Sequence, residues 1–175
     1  LNKPKIVSLL ISEGADILTS DYNGNTLLHM AASSGMMDLI RIIIDKGARV
    51  NIMNYDGQMP LYMAAYGRFI NIVDFLYEKG ATILCTKYNV NILLHKLVKK
   101  GAKTILERLD EKGIQFDVKD YNGDSLLHTA VKSGQEELAT YLMEKGIDIN
   151  SKNTKKQTPL YWASRLGYST IVDLL

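Results

Sequence analysis

His29, His95 and His128 are the side chains of this chain best suited to acid–base or metal chemistry near neutral pH. They are spaced by 66 and 33 residues. No two stand at the i, i+4 interval that places two metal ligands on one helix face. Cys85 is the single cysteine, has no base beside it in sequence and can form no internal disulfide, which fits a reducing compartment. Asp and Glu are scattered without an evident acid–base pair. There is no Gly-x-Ser-x-Gly elbow, phosphate-binding loop, His-Glu-x-x-His or Cys/His cluster. The residues therefore predict no catalytic site, no metal site and no cofactor.

The side chains that recur are ones that make contacts. Tyr22, Tyr55, Tyr88 and Tyr121 fall 33 residues apart, with Thr154 ending the series. Tyrosine offers area and a hydroxyl at low entropy cost, so this ladder is either a contact surface or a brace between neighbouring loops. Met30, Met63, Lys96, Thr129 and Trp162 share a second phase, and Ser34, Gly67, Lys100, Ser133 and Leu166 a third. These phases vary while their surroundings repeat, which is where a repeated scaffold can encode specificity. Trp162 is the only tryptophan, a residue enriched at binding hot spots and equally suited to packing on a neighbouring repeat.

The elements that position these residues follow from the period. Five segments recur every 33 residues, among them Asp21-Tyr-Asn-Gly-Asn-Thr-Leu-Leu-His29, Asn54-Tyr-Asp-Gly-Gln-Met-Pro-Leu-Tyr62 and Asp120-Tyr-Asn-Gly-Asp-Ser-Leu-Leu-His128. A period in this range signals stacked supersecondary units. Within residues 21–53, Tyr22-Asn-Gly-Asn25 reads as a turn and Thr26 as a helix N-cap. Leu27, Leu28, Ala31 and Ala32 form the apolar face of a short helix, and Gly35 breaks it. A second helix is predicted from about Met36 to Lys46, with Leu39, Ile40, Ile43 and Ile44 on one face and Gly47 closing it. One such unit buries too little to offset about 1–2 kcal/mol of backbone entropy per residue, so neighbours must share a core.

These residues resemble the ankyrin repeat. The resemblance rests on Thr158-Pro-Leu-Tyr161, on Asn71-Ile-Val-Asp-Phe-Leu76 and on Gly146-Ile-Asp-Ile-Asn150, and it covers essentially the whole chain. It implies an all-α solenoid of helix–turn–helix units with projecting β-hairpin-like loops, and a concave inner-helix and loop-tip surface that binds proteins. It also implies that each histidine hydrogen-bonds the backbone of an adjacent loop. The array divides into a partial repeat 1–20, full repeats 21–53, 54–86, 87–119 and 120–152, and a partial repeat 153–175, so that it reads as a stretch of a longer array. The 87–119 repeat departs most. Val90 replaces the turn glycine, and a β-branched residue at positive φ would cost about 1–2 kcal/mol, so a different loop is expected there. Leu97-Val98 replaces the Ala-Ala pair, so this inner helix is expected to stand off its neighbours. Arg68 and Lys156 hold phases that belong to glycine elsewhere.

Composition narrows the function further. At 175 residues and 46% hydrophobic content the chain can build a core, and its net charge of +2 does not by itself imply a polyanion. No apolar run reaches the roughly 18 residues needed to cross a bilayer, and no signal peptide or Asn-x-Ser/Thr acceptor points to secretion. Charge is uneven: residues 87–119 carry eight basic residues against four acidic, and 120–152 three against six. The expectation is a monomeric, intracellular and cytoplasmic protein-binding scaffold that neither enters membranes nor binds nucleic acid. Its contact residues would be Tyr22, Tyr55, Tyr66, Tyr88, Lys96, Lys99, Lys100, Tyr121, Lys132 and Trp162. A structural spacer, or a targeting module for a catalytic domain outside this segment, is the alternative.

Overall fold

The computed structural model describes residues 3–83 and 87–175, without the side chains of residues 3–5, 8, 87 and 88. Cys85 and the Tyr88 side chain therefore lie outside the described residues. Among the described residues there are only helices and loops: α1 (Lys3–Ser12), α2 (Leu27–Ser33), α3 (Met37–Asp45), α4 (Pro60–Gly67), α5 (Ile70–Glu78), α6 (Lys87–Lys99), α7 (Lys103–Glu111), α8 (Leu126–Lys132), α9 (Glu136–Glu144), α10 (Pro159–Leu166) and α11 (Ser169–Leu174). The chain forms two compact units, residues 1–90 and 91–175.

In the first unit α2 packs on α4, α1 on α3, and the pairs α2–α3 and α4–α5 are antiparallel neighbours. Ala31, Ala32, Ala64 and Ala65 are buried between the first helices, where their small side chains permit close approach. Leu39, Ile40 and Ile43 of α3 and Ile72, Val73 and Leu76 of α5 complete the core at the i, i+3, i+4 positions expected of one helical face. In the second unit α8 packs on α10 and α9 on α11, giving the same arrangement of a first-helix and a second-helix layer. Leu97 and Val98 of α6 are both wholly buried there, as are Leu106, Leu109, Leu126 and Leu142.

The loops are held by one recurring device. Asp21 Oδ1 accepts from the amides of Asn23 and Asn25 at 2.9 and 2.8 Å, and Asp120 does the same for Asn122 and Asp124. Asn54 and Asn153 take the amides of Gln58 and Gln157 in the same way. Each is an Asx-type turn that needs a side-chain acceptor at its first residue. A single antiparallel bridge closes two of the loops, Ser20 with Thr26 and Lys119 with Ser125. Gly24 and Gly123 follow with positive φ, and a Cβ on Gly24 would meet the Tyr55 ring at 2.8 Å.

The 87–119 repeat loses this turn, as expected from Val90, but what replaces it is a helix. Lys87 has no acceptor to start an Asx turn and Val90 avoids positive φ, so α6 begins at Lys87 and runs through Val90. Asn89 then donates from its amide to the carbonyls of Asp56 and Gly57 at 3.1 and 2.9 Å, capping the preceding turn from the helix. Two other departures keep the local geometry at a cost. Arg68 caps α4 at φ 66° and Lys156 holds its turn at φ 59°, both left-handed. Gly67, one residue before Arg68, stays helical, and the Phe69 ring covers it so closely that a Cβ would sit 2.6 Å away.

Candidate interaction surface

The histidines occupy structural positions. His29 Nδ1 accepts from the Thr26 amide at 3.1 Å and lies 2.9 Å from the Thr26 hydroxyl. The proton is therefore on Nε2, which donates to the Gln58 carbonyl of the next loop at 3.0 Å. His128 repeats this with Ser125 and the Gln157 carbonyl. His95 differs because Ile92 offers no hydroxyl. Its Nδ1 instead bonds the Thr129 hydroxyl on α8 at 2.7 Å, and Nε2 is buried without a partner. Burial lowers the pKa of all three below the ordinary 6.5, so they are neutral at pH 7. Among the described residues no three His, Cys, Asp or Glu side chains converge to hold a metal ion.

The tyrosines point outward from the loop tips. Tyr22 is 88% exposed, Tyr55 79% and Tyr121 90%. Tyr55 is at once surface and brace. Its ring rests on Gly24, and its amide donates to the Asn23 carbonyl at 2.9 Å. Thr154 makes the same amide bond to Asn122 and adds a hydroxyl bond of 2.8 Å, so the tie between loops does not depend on an aromatic ring. Tyr66 is half-buried on α4.

Lys96, Lys99 and Lys100 are exposed at the end of α6. Lys132, on α8, reaches Asp124 in an ion pair and lies 4.3 Å over the Trp162 ring on α10. Burial pushes the Asp124 carboxyl up, but Lys132 and the Asn153 amide outweigh this and hold it below the usual range. The guanidinium of Arg165 sits 5.5 Å from the same indole ring and donates to the Tyr161 hydroxyl at 3.0 Å. Trp162 is thus half-buried as a platform for two cations. Thr129, in the variable phase of Met30 and Lys96, is buried and spent on His95.

Reading charge repeat by repeat missed its actual order, which follows the layers. In the second unit α8 and α10 and the part of α6 from Asn91 carry no Asp or Glu, only Lys96, Lys99, Lys132 and Arg165, with Lys100 just beyond. The acids sit in the loops, as Asp120 and Asp124 do, and on the second helices. There Lys103 pairs with Glu137 at 2.8 Å, Arg108 with Glu111 at 2.7 Å and Lys145 with Asp110 at 2.6 Å. Arg165 was absent from the expected contact residues, yet it continues the phase of Lys99 and Lys132 at the same 33-residue step. That spacing was the available signal.

A family model of ankyrin repeats (three copies) matches residues 1–87 and 94–175, interrupted where α6 replaces the turn. Among solved structures, the human ASB11 ankyrin repeat domain superposes with a TM-score of 0.82 at 22% identity, over 98% of this chain and 77% of that one. The ankyrin repeat domain of Bcl-3, described as a unique member of the IkappaB protein family, gives 0.76 at 29% identity, over 98% and 76%. No curated protein matches by sequence.

Proposed function

Because this chain belongs to the ankyrin-repeat family, whose repeats are in general protein–protein interaction modules, we propose that it is a non-catalytic, monomeric scaffold that binds a protein partner. The face proposed for binding is the layer of first helices together with the loop tips, the surface that the family resemblance makes the concave one. One observation carries this reading. The inward positions of the repeat are spent on alanines, leucines and loop-binding histidines, while the outward positions of the same helices change from Met30 and Ser33 to Lys96 and Lys99. Framework and contact residues are separated in this way when one scaffold is adapted to one partner. Exposed tyrosines add contact area at the loop tips of each unit, Tyr22 and Tyr55 in the first and Tyr121 in the second.

The test is affinity capture with crosslinking mass spectrometry, using wild type beside Lys96→Glu/Lys100→Glu, with circular dichroism confirming that both are folded. A protein crosslinked to the first helices of wild type and lost by the variant supports the reading. A folded array that retains no protein refutes it and favours the spacer.

A further inference from the structure

The first-helix layer of residues 91–175 is basic although acids and bases nearly balance in that unit as a whole. Three of its cations recur at one phase, Lys99 on α6, Lys132 on α8 and Arg165 on α10. His95 ties α6 to α8 through Thr129, and Lys132 lying over Trp162 ties α8 to α10. The two later cations are ordered before any partner arrives. Lys132 is fixed by Asp124 and the indole, and Arg165 by the indole and the Tyr161 hydroxyl. Pre-ordered cations lose less side-chain freedom on binding. On the opposite layer Lys103, Arg108 and Lys145 already face carboxylates, so those cations are spent within the array.

We propose that this layer binds an extended acidic segment of a partner protein, with one carboxylate for each helix along Lys99, Lys132 and Arg165. This rests on the protein-binding function proposed above and names the chemistry of its partner. Packed helices stand about 8–10 Å apart. A polyproline II segment rises about 3.1 Å per residue with three residues per turn, so every third side chain returns to the same side after about 9 Å. A β-strand, by contrast, turns its i and i+3 side chains to opposite faces. Acids at i, i+3 and i+6 of a polyproline II segment therefore match the stacking of the helices. Arg165 offers a planar fork to a carboxylate, and Lys132 has ammonium protons beyond the one given to Asp124. A nucleic-acid strand fits less well. Its phosphates recur about every 3.4 Å of helix axis along each strand of B-DNA, and the Asp124 carboxylate stands beside the middle cation.

The test is fluorescence anisotropy with the whole chain and three labelled probes: acetyl-(Glu-Pro-Pro)4-amide, an isomer of the same composition with its glutamates contiguous, and an oligothymidylate of equal charge. The periodic peptide is expected to bind about tenfold more tightly than its isomer and than the oligonucleotide. Lys99→Glu/Arg165→Glu should weaken it about tenfold or more, and Lys103→Glu on the second-helix layer should leave it unchanged. If the charge-reversed protein does not fold, Lys99→Gln/Arg165→Gln takes its place. Equal binding of the two peptides, tighter binding of the oligonucleotide, or no binding of the periodic peptide overturns the proposal. A partner still captured by wild type in that event leaves the protein-binding function standing and rejects only the acidic segment.

Discussion

Met30 and Ser33 on α2 hold the same places in the repeat as Lys96 and Lys99 on α6, two periods later. The first helices of residues 1–90 are uncharged, α2 and α4 reading Leu-Leu-His-Met-Ala-Ala-Ser and Pro-Leu-Tyr-Met-Ala-Ala-Tyr-Gly. On those of residues 91–175 the only charged side chains are cations. Their buried positions also differ, Ala-Ala at 31–32 and 64–65 against Leu-Val at 97–98, and both solutions are fully buried. α10 keeps the buried Ala163 in the phase of Ala31 and Ala64 yet carries Arg165, so the surface can change while the core position stays small. What recurs once in each unit is the tie between two neighbouring loops, made by an Asx turn, a backbone amide and a histidine, at Asp21 to His29 and at Asp120 to His128.

The largest way to disturb the comparison is to impose one unit's core on the other. Leu97→Ala should leave a cavity among wholly buried neighbours and cost about 2–5 kcal/mol in urea unfolding. Ala64→Leu, the reverse change in the first unit, should cost about 1–3 kcal/mol by overpacking the contact between α2 and α4. A loss under about 0.5 kcal/mol at both sites would mean that neither core is tightly packed.

Next in size is the response to acid. Burial holds His29, His95 and His128 below 6.5, so the unfolded chain takes up protons before the folded chain does. Their neutral, hydrogen-bonded state is fully stabilising above pH 6.5 and is lost as pH falls below it. Asp124, held below its ordinary 3.8, adds its own loss only in the more acidic range. The urea midpoint should therefore fall between pH 7.5 and 5.5, and less so in His128→Gln. A midpoint that rises on acidification would contradict the assignment of these histidines.

The smaller effects are in the backbone. Arg68→Gly and Lys156→Gly each remove a left-handed non-glycine residue, one in each unit. Each should stabilise by about 0.5–1 kcal/mol, the relief of strain being partly offset by the added freedom of the unfolded chain. A lowered thermal midpoint in either variant would show that its side chain contributes more than the strain it carries.

The repeat framework was legible because it depends on local rules that the period displays five times. Thr26 and Ser125 at helix starts, Gly47 at a helix end and the Leu39, Ile40, Ile43 stripe all stand where the spacing put them. The new start of α6 was half legible. Val90 announced that the turn would change, but the outcome also needed Lys87, whose significance lies in the carboxylate or amide acceptor it lacks. The surface was less legible because charge order depends on which layer a side chain faces. Summed along the sequence, Glu136, Glu137 and Glu144 conceal Lys132, although they lie on α9 while Lys132 lies on α8. That Trp162 serves Lys132 as a platform is a contact across helices that no single repeat contains, whereas Arg165 reaches the same ring from its own helix.

The most direct test reverses charge at equivalent places in the two units. Met30→Glu/Ser33→Glu on α2 and Lys96→Glu/Lys99→Glu on α6 would be compared with wild type for retention of the captured partner, after circular dichroism shows all three to be folded. The account predicts that the α6 variant loses the partner and that the α2 variant keeps it within about threefold of wild type. Loss of the partner in the α2 variant alone, or retention by both, would contradict the assignment of recognition to the basic first helices.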